Sequence, residues 1–396
     1  MSEWQTFCLK DLGKIVGGAT PSTNNPKNYG NKIAWITPKD LSTLQGRYIK
    51  KGSRSISRLG FKSCSCVLLP KHAILFSSRA PIGYVAIAKK RLCTNQGFKS
   101  IIPNKKIYFE FLYYLLKYHK DNISNIGGGT TFKEVSGDTL GLFKVKIPPT
   151  YYEQQKIART LSVLDQKIEN NHKINELLHK ILELLYEQYF VRFDFLDENN
   201  KPYQTSGGKM KFSKELNRLI PSGWSVRFLN HKIVSTYQPK TISKTLLNDS
   251  YSYSVYGGGG IIGRFTEYNH EQSEFIISCR GQCGISYLTL PKSWITGNAM
   301  VIRPTKSYTS KTYLYHTINK YKLTNYITGS VQPQITRQNL STMPILIPKR
   351  KTLNKWNNIS SLLWNLIHNN MQSTQTLTAL RDFLLPLLLK QQVKPK

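Results

Sequence analysis

The chain has 396 residues, of which 40% are hydrophobic, so it can bury the cores of two or three domains and is not disordered throughout. Lysine and arginine number 56 against 22 aspartates and glutamates, and the formal charge of +34 favours a polyanionic partner, with nucleic acid the first candidate. The sequence shows no apolar run long enough to cross a membrane and no signal peptide, so we expect a cytoplasmic protein with no membrane partner.

The cysteines are too few for a disulfide framework. No cysteine pair is matched by a second Cys or His pair at ligand spacing, so we expect no metal site. We interpret the cysteines as buried or free thiols in a reducing compartment. They are Cys8, Cys64, Cys66, Cys93, Cys279 and Cys283.

The first globular part is predicted over residues 1–150 as a mixture of strands, loops and a helix. The helix is predicted at 109–120. Runs rich in β-branched and aromatic residues, separated by glycine and proline, predict strands. These runs are 66–69, 73–76, 84–88 and 99–102.

A long helix is predicted over 151–192, because apolar residues recur there in steps of three and four while Gly and Pro are absent. The segment 193–222 is polar and contains glycine, and we interpret it as a linker.

The second globular part is predicted over 223–349, with strands at 275–278 and 300–302 and a helix at 311–320. The run Gly257–Gly260 superficially resembles a phosphate-binding loop, but a strand-like segment follows it, so we predict a tight turn.

A second long helix is predicted over 350–390, with Pro386 expected to kink or end it, followed by a basic tail at 391–396. Each helix has one narrow apolar seam and therefore needs a partner, for which the other helix is the simplest candidate. The alternative is that each helix packs only on its own domain. The predicted seam residues are Ile157, Leu161, Leu164, Ile168, Asn171, Leu178, Leu182, Leu363, Ile367, Asn370, Leu377 and Leu384.

The chain contains an internal repeat. Arg79 and Arg280 occupy matching sites 201 positions apart, and the offset shrinks to 199 at Asn171 and Asn370. The stretch from Trp4 to Arg79 is longer than that from Trp224 to Arg280, so the copies differ in front of the arginine. This pattern indicates one scaffold that performs two related jobs on two different targets.

The sequence lacks the motifs of enzymes that act on DNA. We find no phosphate-binding loop of the G-x4-G-K-[ST] type, no Asn/Asp-Pro-Pro-Tyr/Phe motif and no acidic pair with Glu-x-Lys. The histidines show no His-x3-His spacing. We therefore predict no catalytic residues and no catalysis by this chain alone.

Recognisable motifs extend along nearly the whole chain. The most specific is Ile147-Pro148-Pro149 running into Glu153-Gln154-Gln155-Lys156-Ile157-Ala158, from which the second copy departs with Pro348-Lys349-Arg350-Lys351. The other segments are Trp4, 17–21, 35–41, 78–83, 95–98, 164–168, 220–224, 256–263, 296–300 and 332–336. Together these motifs resemble the specificity subunit of type I restriction-modification systems.

The resemblance implies an α+β fold, in which two globular target recognition domains are joined by two long antiparallel coiled-coil helices. Each domain would read one half of a bipartite site in double-stranded DNA. The helices would set the half-site spacing and dock two modification subunits. S-adenosylmethionine, ATP and Mg²⁺ would be bound by the modification and restriction subunits, and no cofactor by this chain.

Candidate DNA-binding residues are polar or basic residues on predicted loops, because base edges and phosphates require hydrogen-bond donors and acceptors. Arg79 and Arg280 recur in both copies, which favours a shared structural role or a phosphate contact over readout of one base. The candidates are Thr37, Lys39, Arg79, Asn95, Gln96, Thr131 and Lys133 in the first domain, and Tyr256, Arg264, Arg280, Asn298, Gln332, Gln334 and Arg337 in the second.

Two further alternatives remain at this point: a scaffold or RNA-binding protein that oligomerises through its helices, and a self-sufficient DNA enzyme. The polar and charged helix residues beside the seam form either a solvated face or a docking surface. These residues are Glu153, Gln154, Lys156, Asp165, Glu169 and Glu176.

Overall fold

The computed structural model describes residues 3–128 and 133–395, so the candidate Thr131 lies outside the described residues. The chain forms two compact units. Unit 1 comprises Met1–Lys173 with Asn370–Lys396, and unit 2 comprises Ile174–Asn369. Each long helix is therefore shared between the units, whereas the sequence predicted helices separate from the globular parts.

The globular part of unit 1 is built from short strands and helices. The strands are β1 (Gln5–Cys8), β2 (Gly13–Gly17), β3 (Tyr29–Ile36), β4 (Tyr48–Ile49), β5 (Arg54–Ile56), β6 (Ile74–Phe76), β7 (Val85–Ala88), β8 (Cys93–Thr94), β9 (Lys99–Pro103) and β10 (Lys144–Ile147). The helices are α1 (Leu9–Leu12), α2 (Pro38–Ser42), α3 (Arg58–Lys62), α4 (Phe109–Asn125), α5 (Gly137–Leu142) and the long α6 (Tyr151–Tyr186), which continues as a π-helical turn over Glu187–Val191.

These strands form three sheets with the orders β2-β9-β6-β7-β4, β5-β3-β8 and β1-β10. Helix α4 turns Phe111, Leu112, Leu115 and Leu116 into the main core, where they meet Ile157, Ala158 and Leu161 of α6. Burial of this apolar face holds α6 against the domain.

Unit 2 repeats this plan with a hairpin added before it. The strands are β11 (Met210–Ser213), β12 (Arg218–Pro221), β13 (Ser225–Phe228), β14 (Val234–Tyr237), β15 (Tyr253–Gly257), β16 (Gly260–Phe265), β17 (Phe275–Ser278), β18 (Ser286–Leu288), β19 (Trp294–Ile295), β20 (Ala299–Pro304), β21 (Ile327–Thr328), β22 (Gln334–Ile335) and β23 (Pro344–Ile347). The helices are α7 (Lys311–Asn319), α8 (Arg337–Ser341) and the long α9 (Arg350–Leu389).

The sheet orders match strand by strand. Unit 2 has β14-β20-β17-β18, β16-β15-β19 and β13-β23 where unit 1 has β2-β9-β6-β7, β5-β3-β8 and β1-β10. The internal repeat predicted from sequence is thus a repeat of topology. The longer front of unit 1 lies between β3 and β5, where α2 and β4 replace the two-residue turn at Gly258 and Gly259. The prediction of a tight turn at Gly257–Gly260 is confirmed.

The long helices pair antiparallel within each unit, so the alternative of helices without mutual contact is wrong. In unit 1, Asn171 donates hydrogen bonds to the Asn370 carbonyl and Thr374 hydroxyl at 3.4 and 3.2 Å. In unit 2, Asn175 donates to the Ile367 carbonyl at 3.3 Å. The predicted seam residues are buried or half-buried. Polar residues at such positions fix the register of paired helices.

Three other sequence predictions are corrected. Residues 66–69 form no strand, and only Leu69 makes a single β-bridge, to Leu92. Helix α9 continues past Pro386 to Leu389, so the proline does not end the helix; it removes the one hydrogen bond that a backbone N–H at this position would donate to the carbonyl four residues earlier. The predicted linker 193–222 contains the β11–β12 hairpin and buries Phe193 and Phe195.

The linker interpretation failed because polar composition concealed an aromatic cluster. Phe195 stacks on Trp224 with ring centroids 5.1 Å apart, and Phe193 meets the same indole edge-on. Aromatic contacts of this kind add to the apolar area they bury, so the segment is anchored to unit 2.

Candidate nucleic-acid interface

Backbone hydrogen bonds bring several candidate loops of unit 1 together. The Asn95 N–H donates to the Ile36 carbonyl at 2.9 Å, and the Ser78 N–H donates to the Gly97 carbonyl at 2.9 Å. The Val135 N–H donates to the Ser78 carbonyl at 3.0 Å. We call the resulting surface loop edge 1; its candidate residues are Thr37, Lys39, Arg79, Asn95, Gln96 and Lys133.

The residues of loop edge 1 differ in what they offer to a ligand. Lys39, Gln96 and Lys133 are exposed. Thr37 instead caps α2, where its N–H and hydroxyl both donate to the Asp40 carboxylate at 2.8 Å. Burial alone would raise the pKa of Asp40, but hydrogen bonds from Ser53 and Thr37 outweigh it and lower that pKa. The carboxylate is therefore a fixed anchor of the loop.

Asn95 and Gln96 lie on a loop whose shape is set by close packing. The Asn95 side-chain oxygen accepts a hydrogen bond from the Gly97 N–H at 3.1 Å, and Gln96 is hydrogen-bonded to Thr20. A β-carbon at Gly18 would collide with the carbonyl oxygens of Thr94 and Asn95, so only glycine allows this approach.

Unit 2 has a corresponding surface, loop edge 2. The Cys279 N–H donates to the Asn298 carbonyl at 3.0 Å, and the Ile335 N–H donates to the Cys279 carbonyl at 3.1 Å. Arg280 and Gln334 are joined by an antiparallel β-bridge. The exposed candidates on this edge are Arg280, Asn298, Gln332 and Gln334.

Three candidates of unit 2 do not belong to this edge. Tyr256 is buried in the core, where its hydroxyl accepts a hydrogen bond from the Leu290 N–H and burial raises its pKa to about 12. It occupies the place of Ile36 in the matching strand, which is why it points inward. The Arg264 guanidinium donates to the carbonyls of Tyr251 and Ser252. Arg337 begins α8 and lines a separate cavity.

The arginine loops are built alike. The Ser77 hydroxyl donates to the Pro81 carbonyl and accepts from the Tyr84 N–H, both at 2.8 Å. The Ser278 hydroxyl donates to the Gln282 carbonyl at 2.6 Å and accepts from the Ile285 N–H at 2.8 Å. The serine thus holds a loop that presents an arginine in each unit.

The two arginines have different surroundings. Arg79 lies 3.5 Å from the Glu134 carboxylate, which also contacts Lys99 at 3.3 Å. The residue that matches Glu134 next to Arg280 is the neutral Gln334. The position that holds a carboxylate beside Arg79 therefore holds a neutral amide beside Arg280, and the charge of Arg280 is not offset there.

Charged residues of the helices hold unit 1 together. The Tyr114 hydroxyl donates to Asp165 at 2.6 Å, and Arg47 contacts Glu110 and Glu169 at 3.1 and 3.2 Å. Gln154 is 1% exposed and bonds to the Lys106 carbonyl. For Gln154, Asp165 and Glu169, neither a solvated face nor a docking surface is therefore correct.

A row of exposed apolar residues on the helices of unit 2 was missed by the sequence analysis. On α6 these side chains are 44–60% exposed, and on α9 they are 38–61% exposed. We call this row docking face 2: Ile174, Leu177, Ile181, Leu184, Ile359, Leu362 and Leu366. Each member immediately precedes a position of the three-and-four spacing of the seam, which also passes through Asn175, Leu185, Ser360 and Arg381, so the signal was present in the sequence.

Docking face 2 points away from the globular part of its unit. Residues that immediately follow seam positions contact α7: Tyr186 donates to Thr317, and Trp364 packs edge-on against Tyr315. Residues one before and one after a seam position point to opposite sides of a helix, because each residue turns by about 100°. Docking face 2 therefore lies on the side of the helices opposite to the one that contacts α7.

Unit 1 carries a matching face. Val163, Leu380 and Phe383 are 46%, 43% and 65% exposed and also precede seam positions. Each is separated by 199 positions from a member of docking face 2, namely Leu362, Ile181 and Leu184 respectively. We call Val163, Leu380 and Phe383 docking face 1.

Comparison with known proteins identifies the family. The family model described as the type I restriction modification DNA specificity domain matches residues 1–180 and again 221–380. The chain belongs to this family. It is 32% identical to the type I restriction enzyme MjaIX specificity subunit of Methanocaldococcus jannaschii, over 98% of this chain and 92% of that protein. Specificity subunits are the non-catalytic DNA-recognition components of type I systems.

Two further comparisons agree. The chain is 31% identical to the EcoR124I/EcoR124II specificity subunit of Escherichia coli, over 52% of this chain and 50% of that protein. The crystal structure of the type I S subunit from M. genitalium has the same fold, with a TM-score of 0.61, 19% identity and coverage of 97% and 96%. This specificity subunit carries two DNA specificity domains, as the family model matches it twice.

Within the described residues, no helix is long and apolar enough to span a bilayer. Nor do residues 3–128 and 133–395 contain a cluster of three side chains arranged to hold a metal ion.

Proposed function

We propose that this chain is the DNA-recognition subunit of a type I restriction-modification complex, in which each unit reads one half of a bipartite site through its loop edge. The observation that carries the proposal is the repeated pair of surfaces. Each unit presents one edge of exposed polar and basic residues and one apolar face on its helices. A molecule with two such pairs fits two half-sites and two copies of one partner.

Direct DNA contacts are assigned to the exposed members of the edges. In unit 1 these are Lys39, Gln96 and Lys133, together with the half-buried Arg79 and Asn95; in unit 2 they are Arg280, Asn298, Gln332 and Gln334. Amide side chains match adenine in the major groove, and arginine and lysine match guanine or phosphate. The net charge of +34 supplies the attraction to phosphate that does not depend on sequence.

Docking faces 1 and 2 are assigned to two modification subunits. Exposed apolar rows of this length on a monomeric surface indicate an interface. The members of docking face 1 lie 199 positions from members of docking face 2, so the two faces place apolar side chains at equivalent positions of the repeat. Two copies of the same partner could therefore bind the two faces in the same way. S-adenosylmethionine, ATP and Mg²⁺ would then be bound by the modification and restriction subunits. Because the target is DNA, we place the complex in the cytoplasm.

Exchange of one recognition domain tests the DNA assignment. Residues 1–150 are replaced by those of another specificity subunit, the chimera is expressed with its modification subunits, and methylated sequences are mapped across the genome. We expect one half-site to change and the other to persist. A change in both halves, or methylation without a bipartite sequence, would reject the proposal.

A charge on docking face 2 tests the partner assignment. Leu177→Asp introduces a carboxylate at a side chain that is 60% exposed, so folding should persist while binding of one modification subunit is lost. Leu219→Asp, at a 55% exposed position on β12, is the matched control. Native mass spectrometry should count one bound modification subunit for the first variant and two for the control. Two for both would reject this face.

A further inference from the structure

The loop between β21 and β22 ends in an exposed apolar side chain. Val331 is 91% exposed, the largest value among the described large hydrophobic residues that are exposed. Its neighbours Gln332, Pro333 and Gln334 are exposed as well. At this exposure Val331 buries almost no apolar area within the isolated domain, so hydrophobic burial at this position adds little to its stability.

The base of this hairpin is held firmly. Ile335 is 2% exposed and its N–H donates to the Cys279 carbonyl at 3.1 Å, while the Cys283 thiol lies 3.0 Å from the Pro333 carbonyl. Gly329 has a φ of +89°, and a β-carbon there would lie 2.6 Å from the Gln332 carbonyl. Val331 therefore projects from a fixed turn.

The hairpin is also tied to the arginine loop. Arg280 forms a β-bridge with Gln334, so the guanidinium, two glutamine amides and one apolar tip belong to one surface. The major groove of B-form DNA admits a two-stranded β-ribbon. Its base edges offer partners for each side-chain type: guanine for arginine, adenine for glutamine, and the thymine 5-methyl group for an apolar side chain.

We propose that the β21–β22 hairpin enters the major groove of the half-site read by unit 2, and that Val331 determines specificity by contacting the 5-methyl group of a thymine. This inference rests on the proposed function, because it names the reading element of loop edge 2. Val331 is apolar and therefore lies outside the polar and basic candidates of loop edge 2.

The test removes methyl groups from each partner in turn, two from Val331 and one from thymine. The Val331→Ala chain and the unchanged chain are each purified with the modification subunits. Their affinities are measured on duplexes in which single thymines of the unit 2 half-site are replaced by deoxyuridine, which lacks the 5-methyl group. The half-site is assigned beforehand by the domain exchange described above.

For the unchanged chain, one deoxyuridine substitution should weaken binding about fourfold, the factor that corresponds to burial of one methyl-sized group. The Val331→Ala complex should bind the thymine duplex about fourfold more weakly and lose nothing further with deoxyuridine at that position. Val67→Ala, at an exposed valine of unit 1, should reproduce the unchanged chain.

Equal deoxyuridine effects in the unchanged and Val331→Ala complexes at every position would overturn the inference. A unit 2 half-site that contains no thymine would overturn it too. In both cases the unchanged complex still methylates a bipartite sequence, so the proposed function survives. Failure of the unchanged complex to select any bipartite sequence would instead reject the proposed function itself.

Discussion

Asp165 and Arg381 lie 2.8 Å apart on the two long helices of unit 1, with 5% and 13% of their side chains exposed. Their counterparts in unit 2, 199 positions away, are Trp364 and Leu182. The same scaffold position is thus filled by a buried ion pair in one unit and by apolar side chains in the other. Buried ion pairs and well-packed apolar pairs can be of similar stability, because desolvation offsets the Coulomb attraction.

Breaking this ion pair should destabilise unit 1 strongly. Arg381→Leu leaves the Asp165 carboxylate buried without its cation, which costs about 3–5 kcal/mol of unfolding free energy. Urea unfolding measures the loss. The double variant Asp165→Leu with Arg381→Leu should recover part of it. Lys320→Met breaks the exposed pair with Glu187 and should cost less than about 1 kcal/mol. A similar cost for both single variants would contradict this account.

Acid should begin to weaken unit 2 near pH 6.5, above the range in which ordinary carboxylates titrate. Burial, with His179 and Lys320 nearby, lowers the pKa of His316 to about 3. Burial, with Lys311 and His179 nearby, lowers that of His368 to about 4. The unfolded chain takes up protons on these imidazoles below about pH 6.5, whereas the folded unit does not. Protons therefore favour the unfolded state.

The unfolding free energy should fall from pH 6.5 towards pH 4 by at most about 1.4 kcal/mol per pH unit for each histidine. Urea unfolding at a series of pH values measures the slope. His316→Leu should make it shallower, and His231→Leu, at an exposed histidine, should leave it unchanged. An unchanged slope in His316→Leu would show that this imidazole does not cause the effect.

The two loop arginines should contribute unequally to DNA binding. Arg280→Ala should weaken binding by the complex and lower the slope of log Kd against log salt by about 1 if the contact is to phosphate. Arg79→Ala should have a smaller effect, because Glu134 already offsets its charge. Glu134→Gln should strengthen binding. Titrations at several salt concentrations test this, and equal losses for both arginines would contradict it.

Adjacent glycines should respond differently to a methyl group. Gly18→Ala places a β-carbon against the carbonyls of Thr94 and Asn95, which should cost about 1–3 kcal/mol of stability and displace Asn95 and Gln96. Nothing lies within 4 Å of a β-carbon at Gly17, so Gly17→Ala should stay within about 0.5 kcal/mol. Thermal unfolding and affinity for the unit 1 half-site measure both effects. Equal behaviour of the two variants would contradict the proposed packing.

The repeat, the two long helices and the basic charge can be read directly from the amino-acid sequence. These features follow from local spacing and composition: the seam residues recur at helical intervals, and Arg79 and Arg280 sit at matching offsets. Helix α4 and strand β17 were predicted for the same reason. The spacing of apolar residues is sufficient to predict a helix or strand wherever one face of that element packs against one hydrophobic core.

Which polar residues are available to a ligand depends instead on the packing of the folded chain. Tyr256 and Arg264 have side chains suited to DNA binding, yet Tyr256 lies in the core and Arg264 binds backbone carbonyls of its own unit. Asp165 and Gln154 are polar but buried, whereas Leu177 and Val331 are apolar but exposed. Exposure depends on which distant segments pack on a residue, and that information is absent from the spacing of neighbours along the chain.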